Sequence, residues 1–359
     1  MVVGILSMQR VSNYGSFLQS YALKKTIEEM GHECSFIDIK KGEQIPDFKR
    51  DLKLYLRKFI ERFVKLDFIF RIHSHVKFLR RFKSFHNELG LNIPELKRYD
   101  VVVIGSDEVF NCVQPVSWGV STSLYGNIPN AGKVITYAGS FGHTTIDQIK
   151  EFNLEDLLKN SLNNLSAISV RDNNSHNIMS QLTDNNINKH VDPVLFFNFS
   201  KYLSSEVKDK NYIIIYSYPN RIKNKDEINS IKQFAKKKGK KLISIGFYFS
   251  WCDKVVYPHP FEVLSYFKNA DYVITDTFHG TIMSIKFNRN FCTIVRKSNS
   301  QKLTSLLIQF KLESRIASSP IMINNILKQE IDFSDTNQII KIEKKRSKEY
   351  LNTHLAQND

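Results

Sequence analysis

One histidine, His279, lies in a segment, Thr275–Met283, where a strand pattern gives way to a helix pattern. The residues before it, Tyr272–Ile274, form a short β-branched run that is typical of a buried strand. In a parallel sheet, the loop between a strand and the following helix can bind anions, because backbone N–H groups and the positive helix end meet there. A histidine can give or take a proton near neutral pH. The segment therefore predicts an anion site that carries an acid/base group.

Polar side chains also follow three predicted strands in the first half of the chain. Ser106 and Asp107 come after YDVVVIG, Ser140 follows KVITYAG, and Arg171 follows AISV. Each of them alone fits an ordinary cap or a surface turn. Because the carboxyl ends of parallel strands meet at one edge of a sheet, together they are a better site candidate than any one alone. The arginine can bind a phosphate or carboxylate through two parallel hydrogen bonds.

The elements that must position these residues alternate between strand and helix. Val2–Leu6 is a predicted strand, Phe17–Met30 a helix and Cys34–Ile39 the next strand. The loop between the first strand and helix lacks a dinucleotide fingerprint and offers Asn13, Gly15 and backbone N–H groups. For this loop alone, a plain turn and an anion site are equally open interpretations.

The same alternation restarts after a polar, lysine-rich segment, 198–211. The second half contains four predicted strands, Tyr212–Tyr216, Lys241–Phe247, Tyr272–Ile274 and Asn290–Arg296. Two such halves predict two Rossmann-like domains, residues 1–200 and 201–330, that face each other across a cleft. A basic helical tail follows over 331–359. A chain of 359 residues is long enough for this division.

The basic residues are concentrated in one region. The formal net charge is +15, and twelve lysines and arginines lie between Lys49 and Lys83 among large apolar residues. The pattern predicts an amphipathic helical insertion, residues 45–91, in the first domain. Its apolar stripe either packs on the body of the protein with the basic face in water, or lies on an anionic membrane surface. No RNA- or DNA-binding motif accompanies the charge, so no nucleic-acid partner is expected.

Composition excludes several other classes of protein. No apolar run reaches the roughly 20 residues that a membrane span needs, and MVVGILSMQR lacks the basic start of a signal peptide. The four cysteines are widely scattered, with no spacing typical of zinc ligands. No metal site is therefore expected, and the unpaired thiols fit a reducing cytoplasm.

Six short motifs follow one another along the chain. They are NYGSFLQSYAL (Asn13–Leu23), DVVVIGSDEVFN (Asp100–Asn111), YAGSFG (Tyr137–Gly142), ISVRD (Ile168–Asp172), VDPVLF (Val191–Phe196) and TDTFHGTIMSI (Thr275–Ile285). In order and spacing this series resembles the motifs of the polysaccharide pyruvyl transferase family. The resemblance implies a GT-B-like fold and transfer of a pyruvyl group from phosphoenolpyruvate to a sugar. The expected products are a pyruvate ketal and phosphate, with no further cofactor.

The resemblance also implies residue roles. His279 falls on the histidine of the family's FHG motif, and Arg171 on the arginine of its VRE motif, both in the donor site. We expect His279 and Asp107 to be catalytic, with Asp107 as a base or a sugar-hydroxyl ligand. We expect the substrates to be bound by Arg171, Asn13, Gly15, Ser106, Ser140, Gly280, Arg296 and Lys302.

Three motifs depart from the family pattern. GSDEVFN carries Glu108 and Phe110 in place of an amide and an indole, and VRD replaces VRE. Gln301-Lys302 replaces a usual Ser-Arg, so Lys302 or Arg296 is expected to substitute for a phosphate-binding arginine.

The acceptor sugar in this family is often lipid-linked at the inner face of the membrane. That gives the basic insertion a role in docking there and predicts a cytoplasmic, peripheral protein. Two other functions stay open. One is a GT-B glycosyltransferase that uses a nucleotide sugar, although no acidic ribose-binding motif occurs late in the second half. The other is a catalytically silent assembly or binding protein, which the altered motifs allow.

Overall fold

The computed structural model describes residues 1–43, 67–91, 96–114, 116–204, 207–219, 221–296 and 299–356. Within these residues the chain forms two α/β domains, each built on a parallel sheet of six strands. Residues 45–66 of the predicted basic insertion lie outside the described residues.

The first sheet has the strand order β2-β1-β3-β4-β5-β6. Its strands are β1 Val2–Leu6, β2 Glu33–Phe36, β3 Tyr99–Asp107, β4 Ala131–Gly139, β5 Ile168–Val170 and β6 Ile187–Lys189. Its helices are α1 Tyr14–Glu28, α2 Asp67–Leu89, α3 Ile146–Glu151, α4 Glu155–Leu162, α5 Asn173–Leu182 and α6 Pro193–Phe196, with 3-10 turns at Thr122–Tyr125 and Ser200–Tyr202. The apolar run in β3 is buried, as expected for a parallel strand covered on both faces.

The second sheet has the order β12-β11-β10-β7-β8-β9. Its strands are β7 Tyr212–Tyr216, β8 Lys241–Ile245, β9 Lys254–Val256, β10 Tyr272–Thr275, β11 Asn290–Ile294 and β12 Ile316–Ala317. The helices are α7 Lys225–Lys238, α8 Pro260–Asn269, α9 Phe278–Lys286, α10 Ser300–Gln309, α11 Pro320–Lys328 and α12 Ser334–Leu355, with a 3-10 turn at Glu313–Arg315. Numbered within the domain, this is the Rossmann order 3-2-1-4-5-6.

The strand order reverses once in each sheet, between β1 and β3 in the first and between β7 and β10 in the second. At such a point, the connections on either side leave the sheet in opposite directions and open a crevice at its carboxyl edge. The fold therefore provides one crevice in each domain.

Helix α2 contacts both domains. Its residue Phe78 lies against Tyr14 of α1, and also against Phe247 of the second domain at 5.3 Å between ring centres. Near its end, Glu88 lies 2.6 Å from the ring nitrogen Nε2 of His259. The described part of the predicted insertion thus packs across the two domains through its apolar stripe.

The last helix, α12, returns to the first domain. The Tyr350 hydroxyl donates to the carbonyl of Thr136 at 2.9 Å, and Lys133 donates to the carbonyl of His354 at 3.0 Å. Leu351 is fully buried. The predicted basic tail is therefore a packed element of the fold.

Most element positions follow the predictions, and the differences have local causes. Helix α1 begins at Tyr14, three residues before its predicted start, because Asn13 provides the N-cap. Within the VDPVLF motif, Pro193–Phe196 form the short helix α6, since Asp192 caps it and Pro193 occupies its first turn. Among the described helices, none is long and apolar enough to cross a bilayer.

Candidate functional site

A cavity of about 400 Å³ lies between the domains, at the carboxyl edges of both sheets. Its walls include residues that follow β1 and β3 in one domain and β7 and β10 in the other. The cavity thus joins the two crevices at which the strand order reverses. It is lined by five of the predicted site residues, Asn13, Asp107, Arg171, His279 and Lys302.

A buried carboxylate of the first domain faces His279. The Nε2 atom of His279 lies 3.3 Å from Oδ2 of Asp192, whose side chain has no exposed surface. A carboxylate this close favours a proton on the facing nitrogen by its charge, although the contact lacks ordinary hydrogen-bond geometry. The other nitrogen, Nδ1, is therefore the one left for a substrate. The segment is held by Thr277, which caps α9 by accepting a hydrogen bond from the N–H of Gly280 at 3.0 Å.

Gly15 lies directly against the other side of the imidazole. A Cβ at this position would be 2.1 Å from Nδ1 of His279, so any side chain would displace the ring or cover the nitrogen. Its neighbours Asn13 and Ser16 line the cavity. Asn13 caps α1 by accepting from the Gly15 N–H at 2.7 Å, and its side-chain nitrogen donates to the hydroxyl of Tyr218 in the other domain. The first turn of α1 therefore forms the wall beside Nδ1.

Arg171 is fixed among carboxylates and an aromatic ring. Its Nη1 donates to Asp192 at 2.9 Å, and its Nη2 lies 3.8 Å from Asp107. The guanidinium carbon is 3.9 Å from the ring centre of Phe278. Burial opposes its charge, but Asp192 and Asp107 raise the pKa of Arg171 above its usual value. Burial likewise opposes ionisation of Asp192, but His279 and Arg171 hold its pKa below the usual value.

Asp192 therefore joins the two predicted donor-site residues, Arg171 and His279, through one buried carboxylate. The arginine and the carboxylate belong to the first domain and the histidine to the second. The histidine and this carboxylate thus meet only when the domains are together.

Two neighbouring carboxylates follow β3. Asp107 accepts a hydrogen bond from the Ser16 hydroxyl at 2.7 Å. Glu108 forms an ion pair with Lys302 of α10 and accepts from Asn111 at 2.9 Å. Burial alone would raise the pKa of Glu108, but Lys302 lowers it to about 2. The Glu108–Lys302 ion pair also joins the two domains, and both residues line the cavity.

Three predicted binding residues lie behind the wall of the cavity. The Ser106 hydroxyl donates to the Gln19 side chain at 2.9 Å, and the Ser140 hydroxyl donates to Asp172 at 2.6 Å. Both serines are fully buried. A Cβ at Gly280 would lie 2.2 Å from the Thr275 hydroxyl oxygen, so this glycine permits close packing of the loop.

Arg296 also lies outside the residues that line the cavity. Its two terminal nitrogens donate to both carboxylate oxygens of Glu227, at 2.7 and 2.8 Å. Its Nε is 3.6 Å from Oδ2 of Asp276, which does line the cavity. Lys302 and Arg296 were the two predicted substitutes for a phosphate-binding arginine of the family. Of the two, Lys302 lines the cavity, whereas Arg296 contacts Asp276 from behind the cavity wall.

Sequence reasoning missed one cation of the second domain that lines the cavity, Arg221, and the role of Asp192 in the first domain's contact with His279. Arg221 follows β7, with its guanidinium carbon 4.8 Å from the ring centre of Tyr218. It also donates to the carbonyl of Asp276 at 3.4 Å. The loop after β7 is the carboxyl end of a parallel strand, so the rule that found Arg171 could have found Arg221. Asp192 was visible within VDPVLF, but its contact with His279 depends on the arrangement of the domains.

Comparison with known proteins agrees with the motifs. The model of the polysaccharide pyruvyl transferase family matches residues 13–298. The chain belongs to the polysaccharide pyruvyl transferase family. Membership makes it a transferase of polysaccharide biosynthesis, and the matched region contains Asn13, Asp107, Arg171 and His279. Lys302 and α12 lie beyond that region. No curated protein matches the sequence at a significant level.

Solved structures resemble the whole two-domain chain at low sequence identity. A putative UDP-N-acetylglucosamine 2-epimerase from Listeria monocytogenes is 8% identical, with a TM-score of 0.56. The match covers 100% of this chain and 97% of the epimerase chain. The glycotransferase of kitacinnamycin is 10% identical with a TM-score of 0.51, and 99% of each chain is covered. UDP-GlcNAc 2-epimerase from Neisseria meningitidis, bound to UDP-GlcNAc, is 9% identical, with a TM-score of 0.50. The match covers 99% of this chain and 100% of the epimerase chain. These likenesses confirm the GT-B-like fold that the motifs predicted.

Proposed function

We propose that this pyruvyl transferase takes the pyruvyl group from phosphoenolpyruvate and forms a ketal with two hydroxyls of a sugar, releasing phosphate. The observation that carries the proposal is the convergence of cations and one oriented histidine in a single cavity. Arg171 follows β5, Arg221 follows β7 and Lys302 lies in α10, and all three line the cavity with His279.

The cations suit a donor with two anionic ends. Phosphoenolpyruvate carries a phosphate and a carboxylate, and arginine binds either group through paired hydrogen bonds. Arg171 is held rigidly by Asp192 and Phe278, so it can bind one anionic group without reorganising. Arg221 and Lys302 reach the cavity from the second domain and complete the set. Lys302 would exchange its contact with Glu108 for one with the donor.

The reaction needs a proton for the methylene carbon of the donor and a group that accepts the proton of an attacking hydroxyl. We assign His279 to acid/base catalysis through Nδ1, because Asp192 occupies the side of Nε2. Asp107 is the second candidate, as a base or as an acceptor of sugar hydroxyl hydrogen bonds. Asn13, the N-cap of α1, also lines the cavity.

The acceptor is proposed to be a lipid-linked sugar at the inner face of the membrane. Support comes from α2, which exposes four apolar side chains, Phe70, Ile72, Val76 and Leu79. The lysines and arginines of the same helix would meet anionic lipid. The four cysteines form no disulfide, which fits the cytoplasmic side.

The direct test measures phosphate release from phosphoenolpyruvate against a panel of lipid-linked sugars, with mass analysis of the product. A product heavier than the acceptor by one pyruvic acid less one water has the mass expected of the ketal. Thermal stabilisation is measured in parallel with phosphoenolpyruvate and with UDP-sugars. A shift with UDP-sugars alone would favour the glycosyltransferase alternative, and no turnover with any donor would favour a silent binding protein.

A further inference from the structure

We propose that Tyr218 binds phosphoenolpyruvate directly, through a hydrogen bond that its hydroxyl donates to one of the two anionic groups of this substrate. The assignment rests on the proposed function, because it takes phosphoenolpyruvate as the ligand of the cavity. Tyr218 lies two residues beyond β7, is part-exposed and lines the cavity. It lies outside the six motifs that run along the chain.

The hydrogen bonds of Asn13 determine what the Tyr218 hydroxyl can do. The side-chain oxygen of Asn13 accepts from the Gly15 N–H at 2.7 Å as the N-cap of α1, so its amide nitrogen is the atom that faces Tyr218. An amide nitrogen donates hydrogen bonds and does not accept them, so the Tyr218 oxygen is the acceptor in this contact. The hydroxyl proton of Tyr218 must therefore point to a different partner.

No protein group takes that proton. Among the residues that the structure describes, the hydrogen bond accepted from Asn13 is the one that the Tyr218 hydroxyl makes. Burial raises the pKa of Tyr218 to about 12, and the charges of Asp107 and Glu108 add to the rise. The hydroxyl thus keeps its proton near neutral pH and stays a donor. A ligand in the cavity that Tyr218 lines can supply the missing acceptor.

The surroundings of Tyr218 favour an anion as that acceptor. Arg221, which also follows β7 and lines the cavity, has its guanidinium carbon 4.8 Å from the Tyr218 ring centre. A guanidinium held against a ring can still donate to an anion from its edge. A phenol and a guanidinium from the same strand end can therefore bind one anionic group together. A hydrogen bond to an anion is also about twice as strong as one between neutral groups.

The test measures phosphoenolpyruvate binding to the full chain by titration calorimetry, with no acceptor sugar present. Tyr218→Phe removes the hydroxyl and keeps the ring that contacts Arg221. We expect its Kd to rise by at least ~10-fold, because a hydrogen bond to a charged group is lost. The matched control is Tyr266→Phe, which removes a hydroxyl that donates to Asp209 at 3.0 Å in the same domain. Its Kd should equal that of the wild type.

Competition by inorganic phosphate and by pyruvate separates a direct contact from a structural role. One hydrogen bond affects only the probe that occupies its end of phosphoenolpyruvate, so Tyr218→Phe should weaken the binding of one probe and leave the other nearly unchanged. Equal weakening of both probes would mean that Tyr218 only supports the cavity wall through Asn13, and would overturn the assignment. An unchanged Kd for phosphoenolpyruvate in Tyr218→Phe would also overturn the assignment alone. If the wild type does not bind phosphoenolpyruvate, the proposed function is wrong together with it.

Discussion

His279 has its two ring nitrogens in different surroundings, and the difference decides what it can do. Asp192 faces Nε2, while Gly15 leaves Nδ1 without a covering side chain. The FHG motif is enough to name the histidine from the sequence. Its orientation depends on residues far away in the chain and in the other domain, so it could not be derived from the motif.

Replacing the histidine tests its acid/base role. His279→Ala is expected to lower turnover at least ~100-fold, the usual size of such a contribution, and Arg171→Ala should do the same through loss of donor binding. Asp192→Asn should lower turnover, because the amide no longer selects the same tautomer. Steady-state phosphate release measures all three, with His176→Ala as a control outside the cavity. Near-normal turnover in His279→Ala would remove the role assigned to it.

A methyl group at position 15 tests the close contact with the imidazole. Gly15→Ala would place its Cβ 2.1 Å from Nδ1, so turnover should fall by at least ~100-fold as the ring is displaced. The comparison is Gly31→Ala, where φ is +89° and nothing lies within 4 Å of the added atom. That variant should lose about 1–2 kcal/mol of stability from backbone strain while keeping its kinetic constants. Equal turnover in Gly15→Ala and the wild type would contradict the contact.

Among the secondary-structure elements, the sequence predicted the positions of the strands more accurately than the contacts made by the residues that follow them. The strands Val2–Leu6 and Tyr212–Tyr216 match the prediction, because an apolar run is a local property. Arg296 was predicted as the last residue of a strand; it lies two residues beyond β11 and behind the cavity, since Glu227 of a neighbouring element binds it. Which strand ends meet depends on sheet order, and sheet order is set by contacts between distant segments.

Helix α2 has apolar residues on two sides. Phe78, Phe82 and Phe85 are buried against the body of the protein, as the packing interpretation of the basic insertion required. Phe70 and Leu79 are exposed, at 58% and 40% of their full accessible surface. Packing and membrane docking are therefore compatible, because they use different sides of one helix.

Charge reversal on α2 separates docking from packing. Arg80→Glu with Lys83→Glu changes two exposed residues and should reduce flotation with anionic liposomes, because each basic residue contributes about 1 kcal/mol near such a surface. Adding Arg57→Glu, Lys58→Glu and Arg62→Glu, which precede α2 in the basic insertion, should abolish flotation. The matched control, Lys236→Glu with Lys237→Glu, changes the same net charge on exposed residues of α7 and should float normally. Binding that is absent in the wild type, or insensitive to salt, would leave α2 with packing alone.

At the scale of the whole molecule, the site exists only when the two domains are in contact. Asp192 reaches His279 across the cleft, and Glu108 reaches Lys302. Helix α12 returns from the second domain to the first and brings Tyr350 against Thr136. The sequence predicted two domains and a cleft, but no local pattern could show that the tail closes back on the first domain.

The Glu108–Lys302 pair should contribute to stability in a pH-dependent way. Folding lowers the pKa of Glu108 to about 2 from an ordinary value of about 4.3, so its contribution is complete above about pH 4.5 and is lost as the pH falls toward 2. Glu108→Gln should lower the melting temperature by a few degrees at pH 7, since a charged hydrogen bond contributes about 1.5–3 kcal/mol. The difference from the wild type should shrink by pH 3.5. Glu155→Gln removes an exposed pair with Lys159 and should change little at either pH. If Glu108→Gln lowers the melting temperature equally at both pH values, Glu108 stabilises the domain contact by packing. The charge of Glu108 would then not be what holds the two domains together at the site.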